Sequence, residues 1–113
     1  MIEIALILAS AVLTLAEFWE ETVNFLKDTI QKAKKIIDGI LFGTKVFVQS
    51  MGGAIQEIAR HYSKKGNQWR ETVYTREISP SEVPPDILEK AKRAEQKNSA
   101  ADITRELEME LLA

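Results

Sequence analysis

The sequence predicts a mainly α protein: long amphipathic helices, as a helical hairpin or an oligomeric bundle, with a small β-strand or hairpin and a C-terminal helical tail. Three observations predict it. A seven-residue apolar repeat runs through residues 30–62, residues 1–19 are strongly apolar, and apolar positions recur with helical spacing among the charges of residues 85–112. Such stripes mark helix faces that something must cover.

Residues 1–19 hold only Glu3 and Glu17 as charges. As a helix they would extend about 28 Å at ~1.5 Å per residue, close to the roughly 30 Å of bilayer hydrocarbon. Ile4, Leu6, Leu8 and Leu13 would be lipid-facing anchors, with Phe18 and Trp19 at the interface and Lys27, Lys32, Lys34 and Lys35 beyond it. The lysine bias places the N-terminus outside and the bulk of the chain in the cytoplasm. The competing expectation is a cytoplasmic protein in which this segment is core. No positive region precedes the run, so a secretory signal is disfavoured.

Residues 17–35 form a helix with Trp19, Val23, Leu26, Ile30 and Ala33 on one stripe. Its acids come first and its lysines last, which suits the helix dipole. The repeat then continues. With Ile30 at a, Ile37, Thr44, Met51 and Ile58 follow at a, while Ala33, Ile40, Phe47, Ala54 and His61 occupy d. Gly39 and Gly43 form a small-xxx-small pair suited to close helix crossing. The assembly interface is therefore placed on Ile30, Ile37, Gly39, Ile40, Gly43, Phe47, Met51, Ile55, Ile58 and Tyr62.

Two features resist a continuous helix. Met51-Gly52-Gly53 reads as a hinge, and residues 45–49 are rich in β-branched and aromatic side chains. Residues 54–63 could pair with residues 68–78 as a hairpin across 64–67. The i, i+3, i+4, i+7 spacing of Ile55, Ile58, Ala59 and Tyr62 favours helix instead.

Gln68–Ile78, with Trp69, Val73, Tyr74 and Ile78, reads as a strand that needs a partner. The prolines at 80, 84 and 85 make a linker, a helix follows from about Pro85, and Asp102 can cap a last one. Trp69, Tyr74, Leu107, Met109 and Leu111 are candidate partner-docking residues. The organisation is then a helical assembly region at 1–64, a β segment at 65–79, and a linker with helical tail at 80–113.

Composition closes off several chemistries. The chain has no cysteine, one histidine and a net charge of −2. No metal-ligand spacing, phosphate loop or dinucleotide fingerprint occurs. Glu57, His61, Tyr62 and Ser63 could be drawn as an acid–base set, but a histidine beside a turn more often serves as a polar contact. No enzyme, cofactor or metal is expected. Residues 60–78 are locally basic and carry Trp69 and Tyr74, yet no domain-wide basic footprint supports nucleic acid as partner. The expected function is a small membrane-associated assembly protein acting through oligomerisation and docking of another protein, with a lipid bilayer as a plausible surface. Alternatives are a membrane-active effector or pore subunit, with residues 36–58 in the bilayer and Asp38, Lys45 and Gln49 lining a path, and a soluble accessory or immunity-type subunit.

Overall fold

The computed structural model describes residues 16–112. Its order is helix α1 (Glu17–Ile36), strands β1 (Ile40–Met51), β2 (Ala54–Lys65) and β3 (Gln68–Ile78), a 3₁₀ turn (Pro80–Glu82), helix α2 (Pro85–Glu95), strand β4 (Ala101–Asp102) and helix α3 (Thr104–Leu112). The strands form one antiparallel sheet in the order β3-β2-β1-β4. This is an α+β fold, not a mainly α one.

The helix expected through residues 30–62 therefore ends at Ile36, and the chain continues as a β-meander. Local chemistry explains the correction. Gly39 takes φ +142, and Gly52 and Gly53 take φ +58 and +89 at the β1–β2 turn, conformations that stop a helix but suit a strand entry and a hairpin. Between them, Thr44, Val46, Phe47 and Val48 favour a pleated surface. A seven-residue spacing also has no meaning on a strand, where i and i+7 lie on opposite faces. The glycine pair does not cross helices: Gly39 precedes β1, and Gly43 lies within it beside a bulge between Leu41 and Gly43.

One sheet face carries the helices. Its rows are Ser50–Ile55–Ile78, Val48–Glu57–Arg76, Val46–Ala59–Tyr74 and Thr44–His61–Thr72 across β1, β2 and β3. Phe18, Trp19, Val23, Leu26 and Ile30 from α1 bury against it, as do Ile87 and Ala91 from α2 and Ile103, Leu107 and Leu111 around α3. Phe18 and Trp19 pack edge to face at 5.0 Å in this core, so they are not interfacial anchors. Ile4, Leu6, Leu8 and Leu13 lie outside the described residues. Among the described residues no helix is long and apolar enough to cross a membrane. The bilayer path expected through Asp38, Lys45 and Gln49 gives way to strand β1 and the loop before it.

The C-terminal elements close the far edge. The Thr104 hydroxyl accepts the Val46 N–H at 3.0 Å and donates to the Val46 carbonyl at 3.3 Å, continuing the ladder where β4 ends. Asp102 Oδ1 accepts the Thr104 N–H at 2.9 Å and caps α3. At the end of α2, Asn98 adopts φ 54 and Ser99 N–H reaches the Ala94 carbonyl, a left-handed helix stop.

Candidate functional site

Among the described residues three places could hold function: a buried polar row under α1, a pair of clefts at the β1–β2 turn, and the sheet face that no described helix covers.

The buried row is a structural device. Thr22 Oγ1 donates to Glu57 Oε2 at 2.6 Å, and Arg76 Nε donates to Glu57 Oε1 at 2.7 Å. Further along α1, Thr29 Oγ1 donates to the Leu26 carbonyl, so it accepts the proton of His61 Nε2 at 2.8 Å. Thr44 Oγ1 then donates to His61 Nδ1 at 2.8 Å. Both ring nitrogens are satisfied in one tautomer, with the imidazole neutral. Burial lowers the His61 pKa to about 4 and pushes the Glu57 carboxyl up against the opposing pull of Thr22 and Arg76. His61 and Glu57 share this face and Tyr62 points to the other, so the acid–base set drawn from the sequence is split. Neither group reaches solvent, and no substrate could approach them.

Two clefts share Ser50 and Glu95. One, of ≈ 350 Å³, also involves Gly53, Ile55, Leu88 and Lys92; the other, of ≈ 290 Å³, involves Gln49, Met51, Asn98 and Ser99. The Glu95 carboxylate between them is already engaged, accepting the Gly52 N–H at 2.8 Å and the Ser50 hydroxyl at 3.3 Å. It ties the hairpin turn to α2. Among the described residues no group of His, Asp and Glu is placed to hold a metal ion.

The helix-free face is different. Strand alternation brings Phe47, Lys45 and Gln49 of β1, Ile58, Arg60, Tyr62 and Lys64 of β2, and Trp69, Val73 and Glu77 of β3 to one surface. The bulged residue Phe42 leans across β2 onto Trp69, ring centroids 5.0 Å apart. Lys64 stands 5.2 Å over the Trp69 ring and Arg60 5.1 Å over Phe47. Trp69 nevertheless remains 54% exposed and Phe42 39%. Arg60 also meets Glu71 at 2.9 Å, and burial together with the nearby Glu71 carboxylate raises the Tyr62 pKa.

The residues singled out from the sequence fall into three groups. Phe47, Ile58, Tyr62 and Trp69 meet on this open face, with Ile40, Gly43 and Met51 along its β1 side. Ile30, Ile55, Leu107 and Leu111 are core, and Tyr74 lies on the helix-covered face, 5.8 Å from the His61 ring. Ile37 and Gly39 belong to the α1–β1 connection, and Met109 is on the exposed side of α3. Sequence reasoning passed over Thr22, Thr29, Arg60 and Phe42, and placed Thr44 on a helix stripe. The two helix threonines stand seven apart within the α1 stripe, a visible polar interruption that could have signalled buried partners. Against protein-family models, curated proteins and solved structures, the chain gives no match.

Proposed function

We propose that this chain is a non-catalytic interaction module whose open sheet face docks another protein surface. The observation that carries it is the cluster of Phe42, Phe47, Tyr62, Trp69 and Val73 on a face that no described element covers. Aromatic residues with arginine and a polar rim are the composition of binding hot spots. Among the described residues the buried His61 and Glu57 bond within the fold, which supports this reading.

A nucleic-acid reading of the same face is weaker. Stacking bases need free aromatic faces and a basic track. Here cations already lie over Phe47 and Trp69, and Glu71 and Glu77 stand on the surface.

The test is a photo-crosslinking amino acid placed at Val73 in the full chain, with the exposed α1 residue Asn24 as control site. Discrete protein adducts are expected from position 73, not from 24, and the paired change Phe42→Ser, Trp69→Ser should remove them. No adduct from 73, or adducts that persist in the paired variant, would sink the reading.

A further inference from the structure

The two edges of the sheet are finished differently. On the β1 side, β4 pairs with Phe47 and Val48, and the Thr104 hydroxyl takes up the Val46 N–H and carbonyl. On the other side β3 runs eleven residues, Gln68–Ile78, with no strand beyond it among the described residues. The two-residue turn Gly66-Asn67 makes Lys65 and Gln68 a hydrogen-bonded pair, so the even-numbered residues of β3 bond to β2. The backbone N–H and C=O groups of Trp69, Glu71, Val73, Thr75 and Glu77 then point outward. No backbone group of the described residues meets them.

Exposed edges are ordinarily blunted by shortness, proline, lysine or a bulge, because a bare row of amides pairs with any strand that fits it. β3 has no proline, glycine or lysine, and its register with β2 is unbroken. Arg76, which it turns toward the helices, is matched by Glu57 at 2.7 Å. What its charges do is select the register in which a partner strand can lie.

We infer that β3 is a dimerisation edge, pairing antiparallel with β3 of a second copy about a two-fold axis at Thr72. Outward-pointing residues must bond outward-pointing residues, so the axis passes where a residue lies opposite itself. An axis at Val73 sets Arg70 opposite Arg76, and one at Tyr74 sets Glu71 opposite Glu77; both oppose like charges. An axis at Thr72 pairs nine residues, Gln68 to Arg76, and opposes none, while axes farther from the middle pair seven or fewer. It sets Thr72 against Thr72 and Trp69 against Thr75, the threonine and aromatic–β-branched pairs that stabilise neighbouring strands. Because the β1 edge is already occupied, association stops at two copies. The axis is perpendicular to the sheet, so two four-stranded sheets join as one of eight strands with both open faces on the same side. This pairing uses the strand edge and does not depend on what docks on the open face.

Sedimentation equilibrium of the purified full chain tests this, with dimers expected as the largest species. Val73→Pro removes an outward N–H from each copy and leaves the ladder with β2 intact. It should weaken association about thirtyfold, the effect of two lost hydrogen bonds, with far-ultraviolet dichroism unchanged. The chain has no cysteine, so single cysteines read the register. Thr72→Cys places two thiols in a non-hydrogen-bonded pair, whose Cα atoms are ~4.5 Å apart, within disulfide reach. It should give covalent dimers in a glutathione redox buffer. Val73→Cys sets each thiol opposite Glu71 of the second copy and should stay reduced.

Four outcomes overturn the proposal: a wild-type chain that stays monomeric, species larger than dimers, undiminished association of a folded Val73→Pro chain, or covalent dimers from Val73→Cys and not from Thr72→Cys. If Val73→Pro does not fold, the two cysteine variants decide alone. A photo-adduct of twice the chain mass from position 73 reports this pairing, and one of any other mass reports docking on the open face, so the two readings fail separately.

Discussion

His61 is held neutral between Thr29 and Thr44, and its pKa near 4 lies below the usual value of 6.5. Between those values the unfolded chain binds a proton that the folded chain does not. Its contribution is therefore present above pH 6.5 and is lost as the pH falls through about 4. The loss is on the order of 3 kcal/mol at ~1.4 kcal/mol per pH unit. Glu57 acts in the opposite sense. With its folded pKa raised, it adds stability below its ordinary value of 4.5 that fades as the pH rises. Denaturant melts across this range should show stability falling on acidification, and His61→Gln should flatten the slope while Glu57→Gln steepens it. Backbone geometry gives a second expectation at this scale. A Cβ on Gly39 would lie 2.5 Å from the Lys64 carbonyl oxygen at φ +142, whereas at Gly53 it would meet open space. Gly39→Ala should cost about 1–3 kcal/mol, clearly more than Gly53→Ala, as read by thermal unfolding.

Helix α1 is where element-scale energetics are concentrated, because its stripe covers the centre of the sheet. Leu26 is fully buried there while Ile36 at the helix end is 69% exposed. Leu26→Ala should lose roughly 2–5 kcal/mol, and Ile36→Ala should stay within about 0.5 kcal/mol; chemical denaturation of the two variants distinguishes them. The elements also differ in how legible they are in the sequence. α1, β3, α2 and α3 announce themselves through clean periodicity, proline placement and the Asp102 cap. β1 and β2 do not. Their buried face mixes Thr44, Val46, Val48, Ser50, Glu57 and His61, so the alternation of polar and apolar residues that marks a half-buried strand is blurred. At the same time Ile55, Ile58, Ala59 and Tyr62 fall at helical spacing although Ile55 and Ala59 face the helices and Ile58 and Tyr62 the open side. Long-range pairing decided the outcome, and glycine conformation was the local clue to it. The open face was legible only in part. Its aromatic residues stood out, but their gathering depends on strand register and on the bulge that turns Phe42 toward Trp69.

On the scale of the whole molecule, one core joins both ends of the described chain. Val23 and Leu26 share it with Ile87, Ile103, Leu107 and Leu111, so neither the helix nor the tail has an independent apolar centre. Unfolding should therefore be a single cooperative transition. The two tryptophans offer a check, since Trp19 is buried and Trp69 half exposed. In a Trp69→Phe variant the emission of Trp19 should shift on denaturation with the same midpoint as far-ultraviolet dichroism, and separated midpoints would contradict a single unit. Among the described residues the helices lie on one side only, which leaves the sheet with its buried core on one face and its exposed aromatic residues on the other. Substitution of Trp69, exposed on the other face, should for that reason leave the melting temperature nearly unchanged.

The bridge that His61 makes between α1 and the first two strands has a spectroscopic consequence. The chain has a single histidine, so its imidazole gives one uncrowded set of nuclear magnetic resonance signals. With Nε2 protonated and Nδ1 accepting from Thr44, the two ring nitrogens should resonate far apart, as a fixed tautomer requires. Lifting α1 from the sheet would expose the ring and average those positions, even where helix and sheet each persist. One residue thus reports the seating of the helix on the sheet, separately from the secondary structure of either.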